Sequence, residues 1–398
     1  MQHPGDPYVK ASLREFGETI FAEMSALALS TGAINLGQGF PDTDGPAVVA
    51  EAAIQAIRDG HNQYPPGPGI APLRQAVADH QRDFYGLDYD PDTEILITAG
   101  ATEAIAASLL ALCEPGDEVV TFEPYYDSYA ATIAMAHANR RVVTLRPPAP
   151  DTRGAYTFDT DELRAAIGPQ TKLLLLNSPH NPTGKVFTAS ELALIAELCI
   201  EHDVIAVTDE VYEHLVFEGT HIPLATLPGM RERTVVISSA GKTFSFTGWK
   251  IGWICAPAAL LHAAKTAKQF LTYVNGTPFQ HAITTALQLP RSYYDDFQAD
   301  MTMKRELLCN GLEAAGFDVF RPEGTYFVTT DIRPFGTDDG KAFCLDLPKR
   351  CGVVAVPNIV FYDNDDEGRH LVRFTFCKQP DVLTGAIERL ASLELANG

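Results

Sequence analysis

The sequence predicts an α/β protein, in which a large domain is built on a mostly parallel sheet and a smaller α+β domain occupies the C-terminal third. Short, continuously hydrophobic runs alternate with helical segments through the first two thirds of the 398-residue chain. This alternation is typical of parallel strands covered by helices on both faces. The pattern changes near residue 291, where a helical region precedes short alternating strands. Polar side chains also follow several predicted strands, where such sheets bind ligands.

The predicted elements follow one another in a regular order. Helical spacing over residues 47–58 precedes the turn-rich stretch HNQYPPGPGIAP. The predicted strand–helix pairs are 94–100 with 102–113, 117–122 with EPYYDSYAATIAMA, and 172–179 with 189–202. Two further apolar runs, 203–210 and 234–242, add strands to the same sheet.

The C-terminal third shows a different pattern of predicted helices and strands. We expect a helix over 297–315, short strands at FVTTDI and HLVRFTF, and a final helix near 380–394. The predicted domains are therefore a large domain over 46–290 and a small domain over 291–398. Residues 1–45 are expected to be an N-terminal segment that contributes to the small domain and to the substrate entrance.

Composition excludes several classes of function. The formal net charge is −21, which argues against binding to nucleic acid or to an anionic membrane surface. The seven cysteines are scattered and include no CxxC pair, so we expect reduced core thiols of a cytoplasmic protein and no metal site. The N-terminus shows no secretory h-region, and no apolar run approaches the about 18 residues of a membrane span.

Two lysines and an aspartate indicate the chemistry. Lys242 follows a predicted buried strand, and such a lysine can form a Schiff base if burial or a nearby cation lowers its pKa. Lys250, eight residues later, could supply that cation or bind a phosphate. Asp209, at a neighbouring strand end, could hold a protonated ring nitrogen. A lysine imine together with a carboxylate on a pyridinium is what pyridoxal 5'-phosphate requires.

Other polar residues at these strand ends fit the same cofactor. The stretch from Gly100 to Thr102 opens a helix after a strand, so its backbone amides could bind a phosphate. The remaining candidates are the hydroxyl of Ser239, the flat ring of Tyr126, and Asn181 and Tyr212 as hydrogen-bond partners of a phenolic oxygen. Each feature alone has an ordinary structural explanation, such as a turn, a helix start or a core aromatic. Their combination on successive strand ends favours the cofactor site.

Four motifs resemble the class I/II aminotransferases of fold type I along almost the whole chain. They are NSPHNPTG (177–184), TDEVYEHL (208–215), SSAGKTFSFTGWKIGW (238–253) and HLVRFTF (370–376). Within that family, NLGQGFPD (35–42) and NQYPPGPG (62–69) are similar to the kynurenine/glutamine/methionine transaminases. The segments IFAEMSALA, NQYPPGPG and ATEAIAAS are more similar still to those of actinobacterial N-succinyldiaminopimelate aminotransferases.

The resemblance implies a role for each matching position on the cofactor. Lys242, Asp209 and Tyr212 match catalytic positions: the Schiff-base lysine, the pyridinium partner and a ligand of the ring oxygen. The other implied cofactor contacts are Asn181 at the ring oxygen, Tyr126 stacked on the ring, and Ala101, Thr102, Ser239 and Lys250 at the phosphate. Tyr64 matches a tyrosine that reaches the phosphate in the partner subunit, which implies a homodimer with shared active sites.

The resemblance also implies the substrate contacts. Arg373 matches the arginine that binds the α-carboxylate, and a planar guanidinium suits a carboxylate bidentately. Gly39, Phe21 and Asn181 match further substrate contacts. Many relatives carry arginine at the position of Lys250, and several carry tyrosine at that of Thr102. The sequence alone does not place Arg14, Arg74 or Arg321 relative to the site, so no second carboxylate-binding residue is predicted.

The implied activity is ping-pong transfer of an amino group between an L-amino acid and a 2-oxo acid. N-succinyl-L,L-diaminopimelate and 2-oxoglutarate are the implied pair. One alternative is a kynurenine/glutamine/methionine-type transaminase with β-lyase activity toward cysteine S-conjugates, which the same residues would serve. A non-catalytic ligand sensor is a third hypothesis, which the acidic charge disfavours. A nicotinamide enzyme is not supported, because no GxGxxG follows a strand.

Overall fold

A computed structural model describes residues 7–149 and 154–395 of the chain. The helices are α1 (Ile20–Thr31), α2 (Ala47–Arg58), α3 (Ala71–Tyr85), α4 (Gly100–Leu112), α5 (Asp127–Met135), α6 (Thr160–Ala166), α7 (Ala189–Glu201), α8 (Ala240–Thr243), α9 (Ala258–Lys268), α10 (Thr277–Leu287), α11 (Arg291–Ala314), α12 (Gly340–Cys351), α13 (Asp365–Gly368) and α14 (Pro380–Leu390). The strands are β1 (Ile34–Asn35), β2 (Ile95–Thr98), β3 (Glu118–Glu123), β4 (Asn139–Thr144), β5 (Thr171–Asn177), β6 (Ile205–Asp209), β7 (Thr234–Ser239), β8 (Gly252–Cys255), β9 (Asp318–Phe320), β10 (Phe327–Asp331), β11 (Val353–Val354), β12 (Val356–Pro357) and β13 (Leu371–Thr375).

The large sheet contains seven strands in the order β2-β8-β7-β6-β5-β3-β4. The five strands from β7 to β4 run parallel to one another, and β8 is antiparallel to both of its neighbours. The predicted α/β fold with a mostly parallel sheet is therefore confirmed. Because parallel strands end at the same edge of a sheet, β5, β6 and β7 bring Asn177, Asp209 and Ser239 to one edge.

Continuous hydrophobicity in the strands reflects burial on both faces of this sheet. Alternate residues of β5 contribute to two different cores, since Leu174 and Leu176 pack with α7 while Leu173 and Leu175 pack with α4 and α5. Helix α7 starts with a capping box, in which the side chains of Thr188 and Glu191 each accept a hydrogen bond from the other residue's backbone amide. This capping box fixes the residue at which the loop after β5 ends and the helix begins.

A second sheet, of four antiparallel strands in the order β12-β13-β10-β9, lies in the C-terminal third. The N-terminal segment joins this part of the molecule, since β1 pairs in parallel with β11 and Met24 of α1 packs in the same core as Leu347 of α12. Residues 1–6 lie outside the described residues, and the expected role of residues 1–45 stays a prediction. The boundaries after residues 45 and 290 stay a prediction.

Several elements were not predicted from the sequence, among them helices α1, α3, α9, α10 and α12. Two strands of the large sheet and the start of one helix also depart from the expectations. Strand β4 was not predicted, because NRRVVT is half polar and forms an edge of the sheet. Strand β8 was also not predicted, because it has four residues and directly follows a loop rich in glycine and aromatic residues. Helix α11 begins at Arg291, six residues before the predicted start, with Pro290 as its N-cap.

In the described part of the chain, no helix is both long enough and apolar enough to cross a membrane. All seven cysteines lie within the described residues and are free thiols. Five of them are buried, in agreement with the expectation of core thiols.

Candidate active site

A cavity of about 400 Å³ opens at the carboxyl ends of the central strands. Its walls come from the loops after β5 and β6, from α8 after β7, from the start of α4, and from β13 of the smaller sheet. All the predicted site residues except Tyr64 line it. The predicted residues that it brings together are Phe21, Gly39, Ala101, Thr102, Tyr126, Asn181, Asp209, Tyr212, Ser239, Lys242, Lys250 and Arg373.

Lys242 lies on the short helix α8, three residues after the end of β7. Its Nζ is 3.5 Å from the carbonyl oxygen of Gly39 and 5.5 Å from the ring centres of both Tyr212 and Tyr326. Burial lowers the pKa of Lys242 to about 8, because the charged ammonium is poorly solvated among these rings. The amine is therefore partly neutral near pH 7, and a neutral amine is nucleophilic and can accept a proton.

Asp209 ends β6 and is 5% exposed. The Tyr129 hydroxyl donates to its Oδ2 at 2.6 Å, and the backbone amide of Val211 donates to its Oδ1 at 3.4 Å. Burial raises the pKa of Asp209, and these two hydrogen bonds oppose that rise. A buried carboxylate held in this way would bind a cationic N–H strongly.

Tyr129 was missed by the sequence reasoning, although a signal was present. It follows Tyr126 by three residues at the start of α5, which puts both tyrosines on one side of the helix. Their rings meet edge to face, with centres 5.8 Å apart. Tyr126 hydrogen-bonds with Thr102, and burial raises its pKa to about 12, so its hydroxyl stays protonated at neutral pH.

The start of α4 forms a site suited to a phosphate. Gly100, the first residue of α4, has φ +75°, and a Cβ there would lie 3.2 Å from the Nζ of Lys250. Glycine therefore leaves room between the first turn of the helix and this ammonium group. Free amides at the start of α4, the positive end of its dipole and Lys250 all favour an anion. The side chains of Thr102 and Ser239 border the same cavity.

Among the described residues that line the cavity, Arg373 is the one fully buried cation, with 1% of its surface exposed. Its guanidinium donates to Asn181 Oδ1 at 2.9 Å and to the carbonyl oxygen of Gly37 at 3.0 Å, and its Nε has no hydrogen-bond partner among the described residues. No described carboxylate forms an ion pair with it. Since burying an unpaired charge is costly, this group is suited to receive an anion from solution.

Aromatic rings and backbone complete the wall around Arg373. Its guanidinium carbon lies 5.3 Å from the ring centre of Phe21 and 4.0 Å from that of Phe327. Gly39 faces Phe327 so closely that a Cβ at Gly39 would lie 2.3 Å from the ring, so only glycine fits there. Gln38, Phe40, Asn177 and Phe327 also line the cavity and had no predicted role. The aromatic residues and Gln38 could not be identified because their positions are set by tertiary packing.

The three arginines that the sequence left unplaced lie away from the cavity lining. Arg74 forms an ion pair with Asp92, and Arg321 forms ion pairs with Glu306 and Glu313. Arg14 donates to the backbone carbonyl of Val9. Among the described lining residues the cations are Lys242, Lys250 and Arg373.

Tyr64 does not line the cavity of its own chain. It is 82% exposed and contacts Tyr273 edge to face, with ring centres 5.7 Å apart. Its predicted role toward a partner subunit stays a prediction.

These observations can be compared with known proteins. The family described as "Aminotransferase class I and II" matches residues 31–390. A Mycobacterium tuberculosis protein named as a probable N-succinyldiaminopimelate aminotransferase is 52% identical over 96% of this chain and 97% of its own length. The Escherichia coli methionine aminotransferase is 38% identical over 96% and 98%, respectively.

A solved structure gives the same result. The N-succinyldiaminopimelate aminotransferase from Mycobacterium tuberculosis superposes with a TM-score of 0.94 at 51% identity, covering 97% of this chain and 100% of that one. The family match spans the seven-stranded and the four-stranded sheet and every residue that lines the cavity except Phe21, which precedes residue 31. The chain belongs to the class I and II aminotransferases and is a transaminase.

Proposed function

We propose that the protein is a pyridoxal 5'-phosphate-dependent aminotransferase that moves an amino group from N-succinyl-L,L-diaminopimelate to 2-oxoglutarate. The observation that carries the choice of substrate is the 52% identity, along nearly the whole chain, to a relative named for that donor. The buried, anion-accepting Arg373 beside the amine of Lys242 supports an amino acid as the substrate class.

The cavity fits pyridoxal phosphate at each of its functional groups. The α4 amides and Lys250 would hold the phosphate, Asp209 the ring N–H, and Asn181 and Tyr212 the phenolic oxygen, while Tyr126 would pack on the ring. Lys242 would hold the aldehyde carbon. When bound, this cofactor supplies a carbonyl for covalent linkage to amines and a ring that accepts the electrons released when the substrate α-carbon loses a proton.

The protein's own residues would control orientation and proton transfer. Arg373 would bind the α-carboxylate, which fixes the substrate relative to Lys242. The Nζ of Lys242 would take the α-proton as a general base and later return it, since its pKa near 8 allows both protonation states around neutral pH. Asp209, held by Tyr129, would stay ionised opposite a cationic ring nitrogen and thus stabilise negative charge developing on the substrate side.

The lowered pKa of Lys242 predicts how fast the cofactor-free protein captures pyridoxal phosphate. Only the neutral amine attacks an aldehyde, so the capture rate should rise about tenfold between pH 7 and pH 9 and then level off. Stopped-flow absorbance in the visible region measures this rate. A rate that keeps rising steeply to pH 10 would show that the pKa of Lys242 is not lowered.

We also propose that the protein is a homodimer in which Tyr64 of each subunit binds the phosphate in the other subunit's cavity, and that it acts in the cytoplasm. The exposure of Tyr64 and its contact with Tyr273 support the first proposal. The free thiols support the second. A solution mass of twice 43.2 kDa is expected by light scattering.

Subunit mixing tests the shared site. Tyr64→Phe should weaken cofactor binding about tenfold, the usual effect of losing a hydrogen bond to a charged group. If Tyr64→Phe subunits are refolded with inactive Lys242→Ala subunits, each mixed dimer should contain one site with both native residues. Wild-type cofactor affinity at that site is the expected result. An affinity no better than that of Tyr64→Phe alone would mean that Tyr64 does not act across the interface.

A second candidate donor is an amino acid with a neutral side chain, such as methionine, glutamine or kynurenine. The observation that favours it is the aromatic wall of Phe21, Phe40 and Phe327, which has no fourth cation beside it among the described lining residues. The same cavity could also eliminate a leaving group from Cβ of a cysteine conjugate, because both reactions begin with loss of the α-proton.

A donor panel separates these candidates. The holoenzyme would be mixed with N-succinyl-L,L-diaminopimelate, glutamate, glutamine, methionine, kynurenine or aspartate, and loss of the cofactor's visible band would be followed in each half-reaction. We expect N-succinyl-L,L-diaminopimelate to react with the highest kcat/KM and glutamate to serve as its partner. Preference for methionine, glutamine or kynurenine would refute the proposed donor and support the second candidate.

A further inference from the structure

A second group of titratable side chains lies outside the cavity, where α3 meets the segment that follows β6. His80 on α3 and Glu213 are buried, and His214 is partly exposed. One possible ligand atom from each of the three residues lies within 4.8 Å of the other two. None of the three lines the cavity, and the proposed transamination uses none of them.

The two imidazoles meet through equivalent nitrogens. The Nε2 atoms of His80 and His214 are 2.8 Å apart, and the ring planes are at 85°. At this distance one Nε2–H donates to the lone pair of the other Nε2, and a metal that binds both atoms would require the donor ring to carry its proton on Nδ1 instead. A neutral imidazole has a lone pair on one nitrogen, which makes it a metal ligand.

Glu213 supplies an oxygen ligand beside this pair. Its Oε1 accepts a hydrogen bond of 2.5 Å from the Ser238 hydroxyl, which fixes the carboxylate. Its Oε2 is buried and makes no hydrogen bond of ordinary geometry among the described residues, with the Tyr85 hydroxyl nearby. Metal-binding carboxylates are commonly oriented in this way by a hydrogen bond to their second oxygen.

We propose that His80, Glu213 and His214 bind a divalent transition-metal cation of the zinc class. Two imidazole nitrogens and one carboxylate oxygen form a known three-ligand set for zinc, which leaves a fourth position for water. Zinc bound at the usual nitrogen distance would separate the two Nε2 atoms by about 3.3 Å, so the pair must open by about half an ångström. That shift requires a small rotation of one of the two side chains.

The surroundings set the expected strength of this site. The rings of Phe84 and Tyr294 lie 4.7 and 4.5 Å from that of His214 and limit access of water. Arg291, over the ring of Phe84 at 4.1 Å, acts against a cation, since its charge lowers the pKa of both histidines. Glu213, one of the three ligands, supplies a compensating negative charge. We therefore expect binding in the micromolar range rather than the tight binding of a thiolate site.

A bound cation would stabilise one part of the active site indirectly. Glu213 directly follows Tyr212, and Ser238, which donates a hydrogen bond to Glu213, directly precedes Ser239. The two cavity residues Tyr212 and Ser239 are therefore each bonded to a neighbour that belongs to this cluster or contacts it. The cation would fix α3 to this segment. It is not expected to contact the substrate.

Metal analysis of the holoenzyme tests the proposal. The protein would be treated with a chelator and then brought to equilibrium by dialysis against 100 µM zinc sulfate or cobalt(II) chloride, and the metal bound in excess of the dialysis buffer would be measured by elemental analysis. A stoichiometry near one per chain and visible absorption bands of tetrahedral cobalt are expected. His80→Gln and His214→Gln should each abolish both signals, whereas the control His262→Gln, at an exposed histidine on α9, should retain them.

The same experiment can overturn the proposal. Less than a tenth of an equivalent of metal bound to the wild-type protein at 100 µM free zinc would exclude the site and leave a neutral histidine pair. Full stoichiometry in both His80→Gln and His214→Gln would place the metal elsewhere. Circular dichroism identifies any variant that fails to fold. Such a variant is set aside, and the cobalt spectrum of the wild-type protein alone then decides whether the metal is bound.

Discussion

Lys242→Ala is expected to abolish transamination. The substitution removes the amine that would hold the cofactor's aldehyde and the group that would move the α-proton, and loss of a general base alone costs about 10²- to 10⁴-fold in rate. The cavity would keep Asp209, Arg373 and the phosphate site, so the cofactor should still bind, though without a covalent link. Steady-state transamination and borohydride reduction followed by mass spectrometry measure the two effects.

Lys304→Ala is the matched control for this substitution. Lys304 is also a buried lysine, but it lies on α11, forms an ion pair with Asp300 and does not line the cavity. The Lys304→Ala variant should retain wild-type activity. After borohydride reduction, mass spectrometry should find the mass of the cofactor added at Lys242. Activity of Lys242→Ala within tenfold of the wild type would contradict the role assigned to Lys242.

Arg373→Gln is expected to reduce kcat/KM for amino acids about 10²-fold, mainly by raising KM. Glutamine can still hydrogen-bond within the site, but it lacks the charge and the planar fork that would hold the α-carboxylate. The variant should also lose its selectivity for amino acids over amines that lack the carboxylate. This change in selectivity is specific for carboxylate binding, because general destabilisation would affect both kinds of donor equally.

Arg321→Gln provides the control, since Arg321 forms ion pairs with Glu306 and Glu313 away from the cavity. Its kcat/KM for amino acids should match that of the wild type. If Arg373→Gln keeps a wild-type KM for amino acids, another group must bind the carboxylate.

The sheet could be predicted from sequence because its strands are buried on both faces. The run of four consecutive leucines in β5 is typical of a central parallel strand. Strands β4 and β8 lacked this signal, because β4 is a half-polar edge strand and β8 follows directly on a loop rich in glycine and aromatic residues. Their place in the sheet depends on pairing with distant segments, which local periodicity does not report.

Most of the cavity lining could be predicted because its residues stand at strand ends or in motifs. Lys242, Asp209 and Asn181 lie at the carboxyl ends of adjacent strands, and in a parallel sheet these ends meet at one edge, where ligands bind. Arg373 could be assigned from a motif, although an isolated arginine in a strand is more often exposed. Tyr129 and Phe327 were missed because their contacts with Asp209 and Arg373 arise from packing between segments far apart in sequence.

The most direct test of the central claim follows the amino nitrogen itself. N-succinyl-L,L-diaminopimelate with an isotopically labelled α-amino group would be incubated with 2-oxoglutarate and the holoenzyme, and the products would be analysed by mass spectrometry. The account predicts that the label appears in glutamate with the wild-type protein and that none appears with Lys242→Ala. Label released as ammonium, or equal labelling of glutamate by Lys242→Ala, would contradict it.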